Sequence, residues 1–238
     1  MGPDEFQGKT ALITGAAGAI GGRLVERLTE LGAAVYQSDI TEMDVGNFTR
    51  GDISDPEFVT HWVDAIGRQA DSMDILVNVA GICPRTAMTE ITANEWDQVL
   101  QVNLRSAFLL CQAVIQKMNA QGNGAIVNLS SLAGKVGGIA VGAHYTATKA
   151  ALVALTKTMA RHGAPHGVRV NAVAPGIIDS AMTNSAGPDV VGQLAKSIPM
   201  GRLGSVDEVV APILFLASDH ASYITGATLD INGGILMD

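Results

Sequence analysis

The segment "TGAAGAIGGRL" (residues 14–24) stands between a short apolar run, "KTALIT" (9–14), and a helical pattern that extends from about residue 18 to residue 31. Glycines at positions 15, 18 and 21 let the backbone turn sharply here. They also let an anionic group approach the unpaired N–H groups at the start of a helix. Glycine-rich turns also occur without a ligand, so this turn alone indicates either a dinucleotide site or a plain strand–helix connection.

The alternation of a short apolar strand with a longer helix continues along the chain. Further strands are predicted at 33–39, 48–53, 73–81, 124–131, 167–176 and 227–233, and further helices at 54–69, 92–121, around 144–152 and at 205–218. Ser54 or Asp55 is expected to cap the helix at 54–69, with Glu57 in a capping box. Thr92 and Glu95 are expected to form another capping box.

This alternation predicts the fold class. Strands that alternate with helices form a parallel sheet with helices on both faces, joined by right-handed connections. The sequence contains no linker, internal repeat or low-complexity segment. We therefore predict an α/β protein, a single-domain doubly wound parallel sheet of about seven strands spanning residues 1–238. A loop of weak helical pattern is expected around 177–204.

The composition fits a packed α/β protein. Hydrophobic residues make up 47% of the 238 residues and aromatic residues only 4%. The net charge of −8 argues against a nucleic-acid backbone or an anionic membrane surface as a partner. The N-terminal residues lack a signal-peptide pattern, and no uncharged apolar run reaches the roughly 18 residues of a membrane span. A soluble cytoplasmic protein is therefore expected.

The cysteines and histidines do not predict a metal site. Cys83 and Cys111 both lie in apolar segments and are expected to be free thiols in a reducing compartment. His162 and His166 are four residues apart, but a glycine and a proline between them interrupt the helix that would pair them. No metal is therefore expected.

Asp39 lies at the end of the second predicted strand, 18 residues after Gly21. A carboxylate at this position can bind both ribose hydroxyls of an adenosine. It would repel a 2′-phosphate, and no Arg or Lys lies in the glycine turn before Arg23. Ile40, which follows Asp39, offers no positive charge either. NAD is therefore predicted in preference to NADP, with a simple turn residue as the alternative for Asp39.

The segment "HYTATKAAL" (144–152) places Tyr145 and Lys149 four residues apart, on one face of a helix. An ammonium about 5 Å from a phenol, at an effective dielectric constant of about 20, is worth roughly 3 kcal/mol. That energy would lower the phenol pKa by about two units and make the tyrosine a proton-transfer catalyst. The alternative is a buried tyrosine beside a lysine whose charged end reaches water.

The ordered set of motifs resembles the short-chain dehydrogenase/reductase family over essentially all 238 residues. The set comprises the glycine turn, "NVAG" (78–81), a serine at a strand end and Tyr-x-x-x-Lys. The resemblance implies a Rossmann fold that binds NAD(P) and oxidises or reduces its substrate. Two positions depart from the family pattern, since Ala19 replaces the middle glycine of the turn and Val79 replaces the second asparagine of N-N-A-G.

The resemblance also implies the site residues. Ser131 is preferred to Ser130 because it lies 14 residues before Tyr145, closer to the family spacing of about thirteen. The implied catalytic residues are Asn103, Ser131, Tyr145 and Lys149. The predicted cofactor contacts, which include the glycine turn and Asp39, are Gly15, Gly18, Ala19, Ile20, Gly21, Asp39, Asp52, Ile53, Asn78, Ala80, Gly81, Tyr145, Lys149, Pro175, Gly176, Ile178 and Ser180. The predicted substrate contacts are Ser131, Tyr145, Cys83, His144, Ile177 and Met182.

The resemblance implies an NAD-dependent oxidoreductase that interconverts a secondary alcohol and the matching ketone, with a polyol, a cyclic or a small hydroxy compound as substrate. Tyr145 would be the acid/base, Ser131 would orient the substrate oxygen, and Asn103 would hold a water that links the lysine to solvent. A homo-oligomer, with a tetramer favoured, is expected.

Two other functions are weighed against this one. An NADP-dependent 3-oxoacyl-[acyl-carrier-protein] reductase is the first, but its carrier is acidic, and the acidic chain and Asp39 argue against it. The second is a catalytically silent dinucleotide-binding protein. Such proteins usually lose the catalytic tyrosine or lysine, whereas all four catalytic positions are filled here.

Overall fold

The seven predicted strands all form in the part of the chain that this computed structural model describes, which is residues 2, 4–138, 141–184 and 187–237. The strands are β1 (Thr10–Thr14), β2 (Ala34–Asp39), β3 (Phe48–Arg50), β4 (Ile75–Asn78), β5 (Gly124–Leu129), β6 (Val168–Pro175) and β7 (Thr228–Ile231). They lie parallel in one sheet in the order β3-β2-β1-β4-β5-β6-β7. The predicted doubly wound parallel sheet is confirmed.

Helices cover both faces of the sheet. They are α1 (Ala19–Glu30), α2 (Pro56–Gln69), α3 (Ala93–Leu100), α4 (Ser106–Gln121), α5 (Ala133–Val136), α6 (Ala143–Gly163), α7 (Ala181–Asn184), α8 (Pro188–Ser197) and α9 (Val206–Ala217). A π-helical turn, Gln101–Arg105, joins α3 and α4 into one long helix. The segment 177–204 contains α7 and α8, so it is more helical than its weak pattern indicated. Pro188 begins α8 because its fixed φ suits the first turn of a helix.

The hydrophobic core has two layers, one on each face of the sheet. Ile13 of β1 packs toward α1 and α9, whereas its neighbour Leu12 packs toward α2 and α4. Successive residues of a strand point to opposite faces, and both side chains are fully buried because helices cover both faces of the sheet. The continuous apolar run of β4 has the same cause, since both of its faces are covered.

The two predicted capping boxes form only in part. Asp55, and not Ser54, caps α2 by accepting the Glu57 N–H at 2.9 Å. Thr92 caps α3 by accepting the Glu95 N–H at 3.2 Å. The Glu95 carboxylate bonds other side chains, which belong to the site described below.

The long helix Ala93–Gln121 is apolar enough to cross a membrane by length and composition alone. Its α4 part packs against the sheet through side chains such as Leu110, Val114 and Met118. A core helix of a globular protein shows the same pattern, and this packing is sufficient to explain the apolar composition.

Candidate active site

The glycine turn lies at the carboxyl end of β1, beside β4, where the strand order reverses and α/β proteins bind their ligands. Gly15 has φ +71°, and a Cβ there would lie 2.8 Å from the Ala80 backbone. A Cβ on Gly21 would lie 2.0 Å from the Gly15 carbonyl oxygen. The turn therefore requires glycine at both positions to bring the backbone this close.

The start of α1 fits a pyrophosphate. The helix begins at Ala19 with no side-chain cap and no acidic residue in its first turn. Its first N–H groups therefore remain available, and the helix dipole favours an anion there. Ala19, where the family has glycine, leaves this helix start intact.

Buried polar side chains hold the "NVAG" segment next to this turn. The Thr14 hydroxyl accepts the N–H groups of Val79 at 3.2 Å and Ala80 at 3.4 Å. Asn78 donates to the Asn128 side-chain oxygen at 2.8 Å, within the buried centre of the sheet. These bonds fix the "NVAG" segment, so Asn78 acts here by shaping the backbone at the end of β4.

Asp39 ends β2 beside the glycine turn. One carboxylate oxygen accepts the Ala17 N–H at 3.0 Å, and the other accepts the Thr41 N–H at 2.9 Å. Arg50 is the register partner of Asp39 on β3, and its Nε donates to the Ile40 carbonyl at 3.1 Å. The Arg50 Nη1 also lies 3.8 Å from the Glu42 carboxylate, so this guanidinium already faces an acidic group.

Asp52 and Ile53 follow β3, one strand further from the glycine turn. Asp52 is exposed, and its carboxylate accepts the Ser54 N–H at 2.8 Å. The Ile53 side chain is 7% exposed and packs in the core under α2. Any contact of Ile53 with a cofactor would therefore involve its backbone.

The predicted cofactor residues after β6 lie at the same end of the sheet. Pro175 is the last residue of β6, and the Gly176 N–H donates to the Ile231 carbonyl at 2.9 Å. The Ser180 hydroxyl lies 3.4 Å from both the hydroxyl and the N–H of Thr183, which is within α7. Ser180 is thus oriented by the short helix that follows it.

Ile177 and Ile178 line a cavity of about 350 Å³ between the end of β6, the 198–204 segment and the C-terminal residues 230–236. The described residues that line it do not include Ser131 or Tyr145. The predicted substrate contact at Met182 concerns a side chain that lies outside the described part of the chain.

Helix α6 carries the predicted catalytic Tyr145 and Lys149 and places them near Ser131, which follows β5. The Ser131 side chain lies close enough to the Tyr145 hydroxyl to lower its pKa. The Lys149 Nζ lies 5.6 Å from the ring centroid of Tyr145 and donates to the Leu129 carbonyl at 2.6 Å. Ser130 points elsewhere, since its buried hydroxyl donates to the Lys149 carbonyl at 2.8 Å. Of the two serines, Ser131 is therefore the one that meets the phenol.

Burial dominates the electrostatics of this pair. It raises the pKa of Tyr145 to about 12, with Cys83 adding to the rise and the Ser131 hydrogen bond opposing it. Burial also lowers the pKa of Lys149 to about 8. The expectation that the phenol pKa would be lowered is therefore corrected for the protein alone, because burial removes the hydration that the phenolate needs.

Asn103 lies within the π-helical turn and is 2% exposed. Its side-chain oxygen accepts the Ile82 N–H at 2.8 Å, and its amide donates to the Ile82 carbonyl at 2.8 Å and to the Thr148 hydroxyl at 3.3 Å. Asn103 thus joins the segment after β4 to α6. Its role in a water relay to Lys149 stays a prediction.

His144 has a different place from the predicted substrate contact. Its side chain is fully buried, and its ring stacks on Trp96 with centroids 6.4 Å apart. Nδ1 accepts the Tyr145 N–H at 2.9 Å, and Nε2 lies 3.1 Å from the Glu95 carboxylate. The prediction is corrected, because a ring enclosed in this way has no surface to offer a substrate.

Cys83 borders the catalytic pair. The thiol is half-buried, and burial raises its pKa while Arg85 and Lys149 lower it, which places the sulfur within electrostatic reach of the lysine. Cys83 and Cys111 are both free. Cys83 therefore remains a candidate for contact with the substrate.

Three residues that sequence reasoning missed are Glu95, Thr86 and Arg50. Glu95 was interpreted only as part of a capping box, and its partner His144 is 49 residues away. Arg50 lies 11 residues after Asp39 in the chain and becomes its neighbour only through strand pairing. A search that paired strand-end residues of adjacent parallel strands could have found Arg50, whereas no local signal points to Glu95.

Comparison with known proteins gives consistent relatives over nearly the whole chain. The family model described as enoyl-(acyl carrier protein) reductase matches residues 15–236. A 3-oxoacyl-[acyl-carrier-protein] reductase of Salmonella typhimurium is 37% identical, covering 98% of this chain and 99% of that protein. The 3-oxoacyl-[acyl-carrier protein] reductase of Brucella melitensis has a crystal structure with TM-score 0.91 and 34% identity, covering 99% of this chain and 94% of that one. The aldohexose dehydrogenase of Thermoplasma acidophilum has TM-score 0.91 and 29% identity, covering 98% and 96%.

The fold and the site define an oxidoreductase that acts on CH–OH groups with a nicotinamide dinucleotide. The chain belongs to the short-chain dehydrogenase/reductase family, as its motifs predicted.

The predicted preference for NAD is wrong. The 3-oxoacyl-[acyl-carrier-protein] reductases to which the chain is similar favour NADP. The prediction counted only the Asp39 carboxylate at the end of β2. Both oxygens of that carboxylate accept backbone N–H groups, and the prediction did not count Arg50, its register partner on β3, whose Nη1 lies 3.8 Å from the Glu42 carboxylate.

Proposed function

We propose that this protein is an NADP-dependent reductase that converts the 3-oxo group of an acyl thioester into a 3-hydroxy group. The 37% identity with a 3-oxoacyl-[acyl-carrier-protein] reductase, over 98% of the chain, supports this substrate class. The observation that carries the proposal is the placement of the Tyr145 phenol near Ser131, with the Nζ of the buried Lys149 5.6 Å from the ring centroid. A protonated phenol held in this way is suited to donate a proton to a carbonyl oxygen.

Several residues would hold the cofactor. The glycine turn and the start of α1 would bind the pyrophosphate, and Arg50 would face the 2′-phosphate. Lys149 would hold the nicotinamide ribose, and Ser180 would hold the carboxamide. The chemistry that NADPH supplies when bound is a hydride for the carbonyl carbon.

The side chains supply the proton and the placement. Tyr145 donates its proton to the carbonyl oxygen, since a pKa of about 12 keeps the phenol protonated at neutral pH. Ser131 hydrogen-bonds the same oxygen and orients the carbonyl group. The positive charge of Lys149 stabilises the phenolate that remains when the proton leaves. The product is the secondary alcohol, which carries the added hydride and proton.

A second candidate is the oxidation of a sugar or polyol. The likeness to an aldohexose dehydrogenase, with TM-score 0.91 at 29% identity, favours it. In that direction Tyr145 must act as a base, and a phenol with a pKa of about 12 is rarely ionised at neutral pH. The electrostatics of the protein therefore support reduction over oxidation.

The deciding experiment compares substrates by the absorbance of the reduced nicotinamide. Acetoacetyl groups are offered as thioesters of acyl carrier protein, coenzyme A and N-acetylcysteamine with NADPH, and aldohexoses and polyols are offered with NADP⁺. We expect the thioesters to be reduced with the higher kcat/KM. A dominant sugar oxidation contradicts the proposal, and activity on the small thioesters alone limits it to carrier-free substrates, as the net charge of −8 would favour.

Tyr145→Phe is the matched variant, because it removes one hydroxyl and leaves the ring in place. We expect kcat to fall by about 10²–10⁴. Binding of NADPH, followed by the quenching of tryptophan fluorescence, should remain as in the natural protein. An ordinary rate in this variant refutes the proposed mechanism.

We further propose that the protein works in the cytoplasm as a homo-oligomer, with a tetramer favoured. β7 is an edge strand, and Leu229, Met200 and Met237 near it are 39%, 64% and 80% exposed. These apolar side chains at a free sheet edge suit contact between copies of the chain. Light scattering tests the state, and a variant lacking residues 236–238 tests this edge. An unchanged assembly argues against a role for the C-terminal residues.

A further inference from the structure

His144 occupies the first turn of the catalytic helix, directly before Tyr145. Its Nδ1 accepts the Tyr145 main-chain N–H at 2.9 Å, one of the N–H groups at a helix start that have no partner within the helix. Nδ1 must therefore carry a lone pair. In the neutral ring the proton then lies on Nε2, which donates to the Glu95 carboxylate at 3.1 Å.

Glu95 continues the chain of hydrogen bonds into the segment after β4. Its carboxylate accepts the Thr86 hydroxyl at 2.5 Å, and the bonds from Thr86 and His144 lower the Glu95 pKa. Three more bonds hold the same segment: the Gly142 N–H donates to the Pro84 carbonyl at 3.0 Å, and Asn103 and Ile82 share two bonds of 2.8 Å. The segment 82–86, which includes Cys83, is thus held at three points, by the π-helical turn, by the residue that precedes α6, and by Glu95 of α3, which bonds His144.

We propose that His144 is a positioning residue for the reduction. Through the Tyr145 amide it fixes the backbone that carries the phenol, and through Glu95 and Thr86 it fixes the segment 82–86 at the edge of the substrate cleft. The His144 side chain therefore links the backbone of the proton donor to the Thr86 end of this segment, whose Ile82 and Pro84 positions are held by other bonds. The inference rests on the proposed function only in taking Tyr145 as the acid.

A substitution at Gly142 offers an independent test of the position of the His144 ring. A Cβ on Gly142 would lie 2.2 Å from His144 Cε1 and 2.6 Å from Nδ1. The backbone at Gly142 has φ −64° and ψ 152°, which any residue adopts, so Gly142→Ala acts through crowding and not through strain. The crowding falls mainly on the imidazole, with the Pro84 carbonyl 3.0 Å away.

The experiment measures kcat, KM and NADPH affinity in His144→Phe and His144→Asn. His144→Phe keeps a ring and removes both hydrogen bonds, and we expect kcat to fall about tenfold while NADPH affinity stays within about twofold. His144→Asn restores an acceptor for the Tyr145 N–H and should recover most of kcat. If His144→Phe keeps kcat within about twofold, or if His144→Asn is no better than it, the proposal is overturned.

Two substitutions of Thr86 test the bonds that run from His144 through Glu95 to Thr86. Thr86→Val removes the hydroxyl at nearly constant volume and should raise KM more than it lowers kcat, because only the cleft segment is released. Thr86→Ser restores the hydroxyl and should restore KM. Equal effects of Val and Ser on KM contradict the branch through Glu95.

A double-mutant cycle between Gly142→Ala and His144→Ala completes the test. Gly142→Ala alone should lower kcat, and in the His144→Ala background it should cost little more, because the crowded ring is gone. Additive losses overturn the proposal. The kcat and KM of each variant are compared with those of the natural protein on whichever substrate that protein turns over. The test therefore remains valid even if the natural protein does not reduce acyl thioesters.

Discussion

The Lys149 Nζ atom lies 5.6 Å from the ring centroid of Tyr145 and donates its hydrogen bond to a carbonyl group, that of Leu129. Burial lowers the pKa of Lys149 to about 8 and raises that of Tyr145 to about 12, because both charged forms lose hydration. The phenol that we propose as the proton donor therefore stays protonated, while burial of the Lys149 ammonium lowers the stability of the fold. Each of these effects has a measurable consequence.

Replacing Lys149 with methionine should stabilise the fold while it abolishes turnover. The pKa of about 8 lies below the ordinary value of 10.5, so the folded protein binds this proton less tightly than the unfolded chain. The cost is fully present below pH about 8 and disappears as the pH rises toward 10.5. We expect Lys149→Met to raise the free energy of unfolding by about 1–2 kcal/mol at pH 7, measured by urea denaturation.

The exposed Lys157 on the same helix provides the control, since Lys157→Met should leave stability nearly unchanged. The gain from Lys149→Met should shrink between pH 8 and pH 10.5, the window set by the two pKa values. A Lys149→Met protein that is less stable than the natural one at pH 7 contradicts this account.

The rate of reduction should fall as the pH rises past about 8, because Lys149 then loses the charge that stabilises the phenolate. Tyr145 stays protonated throughout, since its pKa is about 12. The measurement is kcat/KM for ketone reduction from pH 6 to pH 10, at saturating NADPH. A rate that rises through pH 8 would show that loss of the lysine charge does not limit the reaction.

Substitution of Ser131 should affect mainly activity, whereas substitution of Ser130 should affect mainly stability. Ser131→Ala removes the partner of the Tyr145 hydroxyl and should lower kcat by about 10–100-fold, with little change in stability. Ser130→Ala removes a buried bond to the Lys149 carbonyl and should cost about 1 kcal/mol of stability, with a smaller loss of rate. Steady-state kinetics and urea denaturation of both variants check this, and the reverse assignment would mean that Ser130 faces the substrate.

Asp39→Asn should tighten NADPH binding severalfold, because it removes a negative charge near the place of the 2′-phosphate and keeps one acceptor oxygen for Ala17 or Thr41. Arg50→Gln should weaken NADPH binding by a similar factor. Isothermal titration measures both, with NADH as the control because it lacks the 2′-phosphate. If the affinities for NADPH and NADH change by the same factor, Asp39 and Arg50 act by holding the backbone of the turn and do not act on the 2′-phosphate.

The sequence predicted the fold because the signals for it are local. The central strands β1, β4, β5 and β6 are short, mainly apolar runs, and the turns after β1, β4 and β5 carry Gly or Ser. Periodicity places the helices between the strands. The helix α8 was missed because its start is marked by Gly187 and Pro188, which also mark loops.

The site was harder to predict in the features that depend on burial and on distant partners. Motif order brought Ser131, Tyr145 and Lys149 to one place, but the sign of the phenol shift depends on how much water burial removes. Glu95 was expected to complete a capping box, but its carboxylate bonds His144, and Arg50, the register partner of Asp39, lies on another strand. The residues that neighbour either partner in the sequence do not indicate such pairings.

The π-helical turn at Gln101–Arg105 has a consequence for how this protein can change in length. A π turn holds one residue more than the α-helix on either side, and each α-helical residue advances the chain by about 100°. Deleting one residue there would restore regular α-helical winding and leave α3, with Glu95 and Trp96, nearly in its present phase relative to α4. A one-residue deletion within α3 or α4 would instead rotate one part of the helix against the other by about 100°, so this turn is the place where the helix can lose a residue and keep its contacts on both sides.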